Sequence, residues 1–344
     1  MLPENKLLFN KSISTDLSLF DAKNLKKEII KLSYADSIMI PAYSNLLITG
    51  NNIILYSQKT FQIFRFDTNG NFVNFIGKRG NGPGEFTEMR DVIIKSKNEN
   101  IIEILDYESI IDYQLDGRFI KKTKIKYPAF SFAYDSINYW FYTGNNPSFS
   151  QYKLVQSDTC FQQKNEYFKI SKNSVPLVEN NFWKGNYATT FRESLSPYVY
   201  ILNNEIKCSY YIDFGRFEIP DAILASESTL MIEELGKIEY ATIRGYMESE
   251  NYTFLSIMKY TPQTMFPDLY YWIIDKKTKK EKLIRIKDFA EDSYLLYPQT
   301  ITNDDLIYFI GYDIESVSVD EAINLNSNPS IIKMNIKDLF EYEK

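Results

Sequence analysis

Histidine is absent from all 344 residues of the chain. Serine and cysteine nucleophiles that pass their proton to an imidazole are therefore excluded in their usual form. So are the common catalytic zinc sites, which use histidine ligands. Cysteine is almost absent: Cys160 and Cys208 are too few for a disulfide framework. They form no C-x-x-C, so neither a metal knuckle nor a redox motif is supported. Two buried thiols are the expectation, because free cysteine is commonly buried, with a single disulfide as the alternative. Only 13 Gly and 12 Pro occur, which leaves no long low-complexity linker. No apolar run reaches the roughly 18 residues of a membrane helix. The opening Met1–Lys6 has no apolar signal core, which fits a cytoplasmic chain or one whose export signal lies outside this sequence. Nor is there an excess of basic charge: 39 Lys+Arg stand against 45 Asp+Glu, a net −6. A general nucleic-acid binder needs the opposite footprint.

What the chain does have is aromatic mass and repetition. Apolar residues make up 44%, and the 27 Tyr and 24 Phe suit stacked sheets. Phe64–Val73 carries Asn69-Gly70 between alternating apolar residues, and Asp112–Ile120 carries Asp116-Gly117 in the same setting. These dipeptides are strong hairpin signals, and the turn they predict is type I′, which needs positive φ. The two glycines, at positions 70 and 117, lie 47 residues apart, and a hairpin-built period of about 40 to 50 residues indicates propeller blades.

Six such units fit between residue 45 and the C-terminus. The first two are regular, with four short strands each. The third spans 129–170, only part of a fourth is visible at 198–214, a fifth spans 238–286 and a sixth 295–335. The expected architecture is all-β: a six-bladed β-propeller of four-stranded antiparallel blades over residues 28–344. A strand near 28–40 pairs with the last blade, since closure removes exposed sheet edges. Residues 1–27 read as an N-terminal extension, with a short helix near Asp21–Lys27.

One segment breaks the strand pattern. Pro220–Gly236 reads as an inserted helix over 221–235, with Asp221 as N-cap, Gly236 as the C-terminal glycine, and Ile223, Leu224, Met231, Ile232 and Leu235 sharing a face. Such a helix caps a sheet edge or a channel mouth, the alternative being a docking helix for a partner or membrane.

Gly77-Lys78-Arg79-Gly80-Asn81-Gly82-Pro83-Gly84-Glu85-Phe86 follows one strand and precedes another. It resembles the blade linker of NHL-type propellers, a glycine-rich loop ending in a buried aromatic. As a phosphate cradle it fails: Glu85 stands where a dinucleotide fingerprint needs glycine, Pro83 where a Walker A loop needs lysine, and no helix follows. Together with FRFDTNGNFVNFIG before it, DVII and NIIEILDYES after it, Tyr211–Gly215 with Ile219-Pro220, and Asn328–Met334, the chain from about residue 27 onward is similar to bacterial six-bladed propellers. Many of these are exported, often as lipoproteins, and most have no assigned activity. The resemblance implies a periplasmic or cell-surface location and a lipid anchor lying outside this sequence.

Ligands of propellers sit at a channel mouth, beside the residues that open the blades' first strands. The candidates on that ground are Arg90 and Asp91 in blade 2, Arg192 and Glu193 in blade 4, Arg244, Tyr246 and Glu248 in blade 5, and Tyr297 and Gln299 in blade 6. Arginine and tyrosine there can bind carboxylates, sugars or peptide ends; solvated charges or inter-blade ion pairs are the plain alternative. Three functions survive. The first is a non-catalytic binding propeller for a glycan, a peptide or a partner protein. The second is a lactonase or esterase with calcium in the channel, for which Asp91, Glu193 and Glu248 are the weak candidate ligands. The third is a glycosidase with paired carboxylates, which no residue positively supports. A peptide-amidating lyase needs histidine-bound zinc and is argued against.

Overall fold

Near-continuous apolar runs such as Ile53–Tyr56, Ile102–Leu105 and Tyr139–Tyr142 become strands buried on both faces, while polar runs such as Phe119–Lys124 become exposed outer strands. Stacked sheets produce this pattern: a strand between two neighbouring sheets has no solvent face. The structure is a computed structural model and describes residues 2–10, 14–19, 25–33, 40–41, 44–95, 101–170, 181–185, 188–264, 267–287, 294–313 and 328–342.

Three N-terminal strands, β1 (Asn5–Leu8), β2 (Thr15–Leu17) and β3 (Lys27–Lys31), precede the first blade. Blade 1 is β4 (Asn45–Thr49), β5 (Asn52–Ser57), β6 (Gln62–Asp67) and β7 (Phe72–Phe75). Blade 2 is β8 (Asp91–Ile94), β9 (Ile101–Asp106), β10 (Ser109–Gln114) and β11 (Phe119–Lys124). Blade 3 is β12 (Ser131–Tyr134), β13 (Tyr139–Tyr142), β14 (Tyr152–Ser157) and β15 (Gln163–Lys169). Blade 4 is β16 (Phe182–Lys184), β17 (Thr189–Phe191), β18 (Tyr198–Asn203) and β19 (Glu205–Asp213). Helices α1 (Asp221–Leu224) and α2 (Ser228–Leu235) lead into blade 5, which is β20 (Tyr240–Glu248), β21 (Tyr252–Tyr260), β22 (Asp268–Asp275) and β23 (Glu281–Ile286). Blade 6 is β24 (Tyr294–Ile301), β25 (Leu306–Asp313) and β26 (Ser330–Asn335), followed by helix α3 (Ile336–Glu341). The fold class is a mostly β six-bladed propeller with small antiparallel sheets and a short helical insertion, as the periodicity predicts.

The chain divides into two compact units, Met1–Ala22 with Ala133–Ala290, and Lys23–Phe132 with Glu291–Lys344. In the first, blades 4 and 5 each gain a fifth, parallel edge strand: β1 pairs β19 (Leu7↔Ile212) and β2 pairs β23 (Leu17↔Ile286). The sequence assigns these residues to an extension, but Leu7, Phe9, Leu17 and Leu19 are buried. Phe9 sits edge-on to Phe214 at 5.8 Å and to Tyr270 at 5.3 Å, in the core shared by blades 4 and 5. In the second unit, β3 supplies the fourth strand of blade 6 by antiparallel pairing with β26 (Ile30↔Ile331). The helix expected near 21–27 lies largely outside the described residues, and Lys27 itself begins β3.

Both hairpin glycines have positive φ, +85° at Gly70 and +88° at Gly117. The turns are not type I′. Asp67 N–H bonds Asn71 O and Gly70 N–H bonds Asp67 O, and the same pattern joins Gln114, Gly117 and Arg118. Each is a three-residue loop in which glycine alone takes the left-handed position. In the first turn the Asp67 carboxylate accepts from the Asn69 and Asn71 N–H groups and from Asn71 Nδ2, all at 2.9 Å. These bonds, the Asn71 side chain foremost, hold its pKa below the usual range. The turn's contribution to stability is thus present above the unfolded value of about 3.9 and is lost as pH falls through the lower folded value. We expect Asp67 to titrate below 3.9 in a carbon-13 NMR titration; a normal or raised value would overturn this account.

The inserted helix is two helices. Ser226 donates its hydroxyl to Ile223 O at 2.6 Å and breaks the run. Asp221 is the first helical residue rather than the cap, and Gly236 keeps a right-handed φ of −65°. Met231 and Leu235 are buried, whereas Ile232, expected on the same face, is 61% exposed. Both cysteines are free; Cys208 is buried and Cys160 exposed, because Cys160 falls on the turn after β14. The expectation of two buried thiols holds only for Cys208.

Candidate functional site

The structure gives each sequence-picked residue a defined place. Arg90 is a framework residue: its guanidinium donates to Glu88 at 2.9 Å and to Ala129 O at 3.1 Å, and lies over the Tyr107 ring at 4.5 Å. Asp91, 4% exposed, accepts from Val92 N–H at 2.8 Å, Phe132 N–H at 3.0 Å and the Tyr56 hydroxyl at 3.3 Å. Burial first, and then the Asp91 charge, push the Tyr56 hydroxyl well above its ordinary range. Glu248 is equally committed: Lys276 donates to it at 2.7 Å and the Tyr246 hydroxyl donates to its other oxygen. Burial, followed by Glu248, raises Tyr246 in the same way. Gln299 Oε1 accepts from Leu46 N–H at 3.2 Å. Tyr297 packs at the edge of a core cluster in the second unit. Among the described residues no group of three His, Cys, Asp or Glu side chains is arranged to hold a metal ion.

Glu193 and Arg244 are different: they line two adjoining cavities of the first unit, with Arg192 buried beside them. Blade 4 begins at β16 and β17, short strands of three residues each, so Arg192 and Glu193 follow a second strand and do not open a first one. Glu193 closes an ion pair with Lys153 at 2.6 Å. A cavity of about 450 Å³ lies there, with Lys153, Glu193, Glu218 and Asp221 as its charged groups, Tyr142 and Tyr198 as aromatic walls, and Ile219, Leu224 and Met231 as apolar ones. The Ser194 hydroxyl, also lining it, is buried without a hydrogen-bond partner. The Glu218 carboxylate accepts from the Tyr211 hydroxyl at 3.1 Å. Burial followed by that carboxylate pushes the Tyr211 hydroxyl up to about 12.

A second cavity of about 420 Å³ shares Leu195 and Met231 with the first and continues along α2 to β20. Leu195 has φ +63°, a strained conformation for a bulky residue, and such strain clusters at functional sites. Strand alternation explains the wall: Tyr240, Thr242 and Arg244 line the cavity while Ala241 and Ile243 face the core. A β-bulge between Ile243 and Gly245 shifts the register at Arg244 and returns Tyr246 to the core face. Bulges re-aim side chains in this way. Buried Arg192 donates to the Arg244 carbonyl at 2.7 Å, fixing the bulge and so the direction of the Arg244 side chain. Sequence reading found both arginines but missed Lys153, Glu218, Asp221 and Thr242. For Thr242 the signal was present, as the middle residue of an i, i+2, i+4 run ending at Arg244.

The family described as a domain of unknown function, DUF4934, matches residues 16–340. No curated protein sequence matches the chain. Among solved structures, a Bacteroides fragilis protein titled "Putative exported protein" is 16% identical with a TM-score of 0.71, over 95% of this chain and 98% of that one. A DUF4221-family member from Bacteroides vulgatus is 12% identical with a TM-score of 0.54, over 90% and 96%. At these identities the likeness shows the fold alone.

Proposed function

The chain belongs to the DUF4934 family of domains of unknown function, and we propose that it is a non-catalytic recognition propeller of the cell envelope. Its ligand, a glycan, a peptide or a segment of a partner protein, sits in the cavities beside α1 and α2. The observation that carries this reading is the make-up of the first cavity: acidic and hydroxyl groups over an apolar floor that includes Ile219 and Met231. Clefts of about 300–1,000 Å³ in which a few polar groups converge are the usual form of a ligand pocket. Export is supported by the propeller resemblance carried by the Gly77–Phe86 loop and by the description of the Bacteroides fragilis structure.

Glycan and peptide arrays, followed by thermal shift, test the proposal. A ligand that binds only the folded state adds stability by mass action, about 2.7 kcal/mol at a hundred times Kd, and so raises Tm. Glu218 and Asp221 are both exposed. Glu218→Gln and Asp221→Asn are therefore expected to leave the ligand-free Tm nearly unchanged. Each should weaken binding about tenfold or more, the scale of one hydrogen bond to a charged group. An array without a hit, or variants that bind like the parent protein, would end this reading.

A further inference from the structure

The second cavity carries its own chemical signature. Arg244 is the single charged residue among its described lining residues, and it is exposed. Thr242, two residues earlier on the same face of β20, is only 7% exposed, and its hydroxyl has no hydrogen-bond partner. A buried hydroxyl left unsatisfied costs free energy that a bound acceptor would recover. One part of the wall is apolar, with Leu195, Met231, Leu235 and Ile238, and the uncharged Thr261, Gln263 and Thr264 complete the lining. The Tyr240–Tyr260 pair, stacked at 4.7 Å with 13° between the rings, adds a flat surface at the start of the β20–β21 hairpin.

We propose that this cavity binds the carboxylate end of an aliphatic acid, with the Arg244 guanidinium and the Thr242 hydroxyl donating to the carboxylate and the apolar wall covering the chain. The inference rests on the recognition reading above and names the ligand class of its second cavity. One guanidinium matches a monoanion through its fork of donors, and a phosphate dianion would want more positive charge than this lining supplies. Lys237 and Lys259, each next in sequence to a lining residue, pair with glutamates: Lys237 with Glu233 and Glu234 at 2.8 and 2.9 Å, and Lys259 with Glu239 at 3.7 Å. The acidic first cavity would repel the same ligand, so the two cavities select different groups.

Two sources share this chemistry, a fatty acid and the C-terminus of an apolar peptide. Calorimetric titration with decanoate, and with N-acetyl-leucyl-leucine, separates them; decanol, the peptide amide and glucuronate serve as contrasts. At least one of the two acids is expected to bind, with its uncharged analogue and glucuronate at least tenfold weaker. Arg244→Gln should cost at least tenfold in affinity. Thr242→Val should cost several-fold while leaving Tm unchanged or raised, because it removes an unsatisfied buried hydroxyl; a purely structural threonine would not separate the two readouts. Lys237→Gln should bind like the parent protein.

Failure of both acids to bind overturns the proposal. So does glucuronate binding as well as they do, an unaffected Arg244→Gln, or a loss of Tm in Thr242→Val. A protein that captures a neutral glycan or an amidated peptide on the arrays but ignores both acids fails this inference and leaves the recognition reading standing. One that binds nothing in either experiment fails both.

Discussion

Gly70→Ala is expected to lower the stability of the folded chain by about 3 kcal/mol. Roughly 1 kcal/mol comes from forcing a side chain into positive φ, and the remainder from overpacking, which costs about 1–3 kcal/mol. The overpacking is specific. A Cβ on Gly70 would stand 2.3 Å from the Lys31 carbonyl oxygen and 3.0 Å from the Ile30 side chain, both on β3. The tip of the β6–β7 hairpin also accepts the Ser33 N–H on the Gly70 carbonyl at 2.8 Å. The turn therefore clamps the strand that completes blade 6. Gly50 is the control, with φ +50° and nothing within 4 Å of an added Cβ, so Gly50→Ala should cost only the conformational share. Urea unfolding of the two variants decides the matter. Equal losses would mean that the clamp contributes nothing. Gly117 belongs between them, since its Cβ would meet the Phe75 carbonyl at 2.7 Å.

Asp91→Ala is expected to cost about 3–5 kcal/mol, and the reason separates two readings of this residue. Each buried donor left without an acceptor costs about 1–3 kcal/mol, and Asp91 serves two backbone N–H groups and the Tyr56 hydroxyl. Asp91→Asn should recover part of the loss, because one oxygen remains to accept. If Asp91 served as a calcium ligand instead, calcium would raise the Tm of the parent protein, EDTA would lower it, and Asp91→Asn would abolish the response at little cost to the metal-free Tm. A Tm scan of the three proteins with EDTA and with calcium distinguishes these outcomes.

The blades were legible because glycine and apolar alternation are local signals. Gly70 and Gly117 announced their turns, and the runs around Ile53, Ile102 and Tyr139 announced strands, whose burial on both faces the structure adds. What escaped notice depends on partners far away in sequence. Leu7 and Phe9 belong to a three-residue apolar run too short to show a period, and only the pairing of β1 with β19, some two hundred residues later, gives them a core. Strands β16 and β17 are too short to show a period, so Arg192 was placed at the start of a blade and proved to follow a second strand. The bulge that turns Arg244 outward is set by register against β21, which no single-strand pattern contains. Asp91 was picked for its position and charge. Its commitment to Phe132 and Tyr56 was unreadable, because burial converts the same carboxylate from a ligand candidate into a backbone acceptor.

The arrangement of β1, β2 and β3 also has a consequence in time. Each is synthesised long before the strand it pairs with: β3 at Lys27–Lys31 waits for β26 at Ser330–Asn335. At about 5–20 residues per second, an emerging chain carries the apolar Ile29 and Ile30 unpaired for roughly 15–60 s. Blades 1 and 2, whose strands are contiguous in sequence, can assemble on the ribosome meanwhile, whereas blades 4, 5 and 6 acquire their edge strands only late in synthesis. A nascent chain stalled before residue 330 would therefore present the β3 edge without its β26 partner.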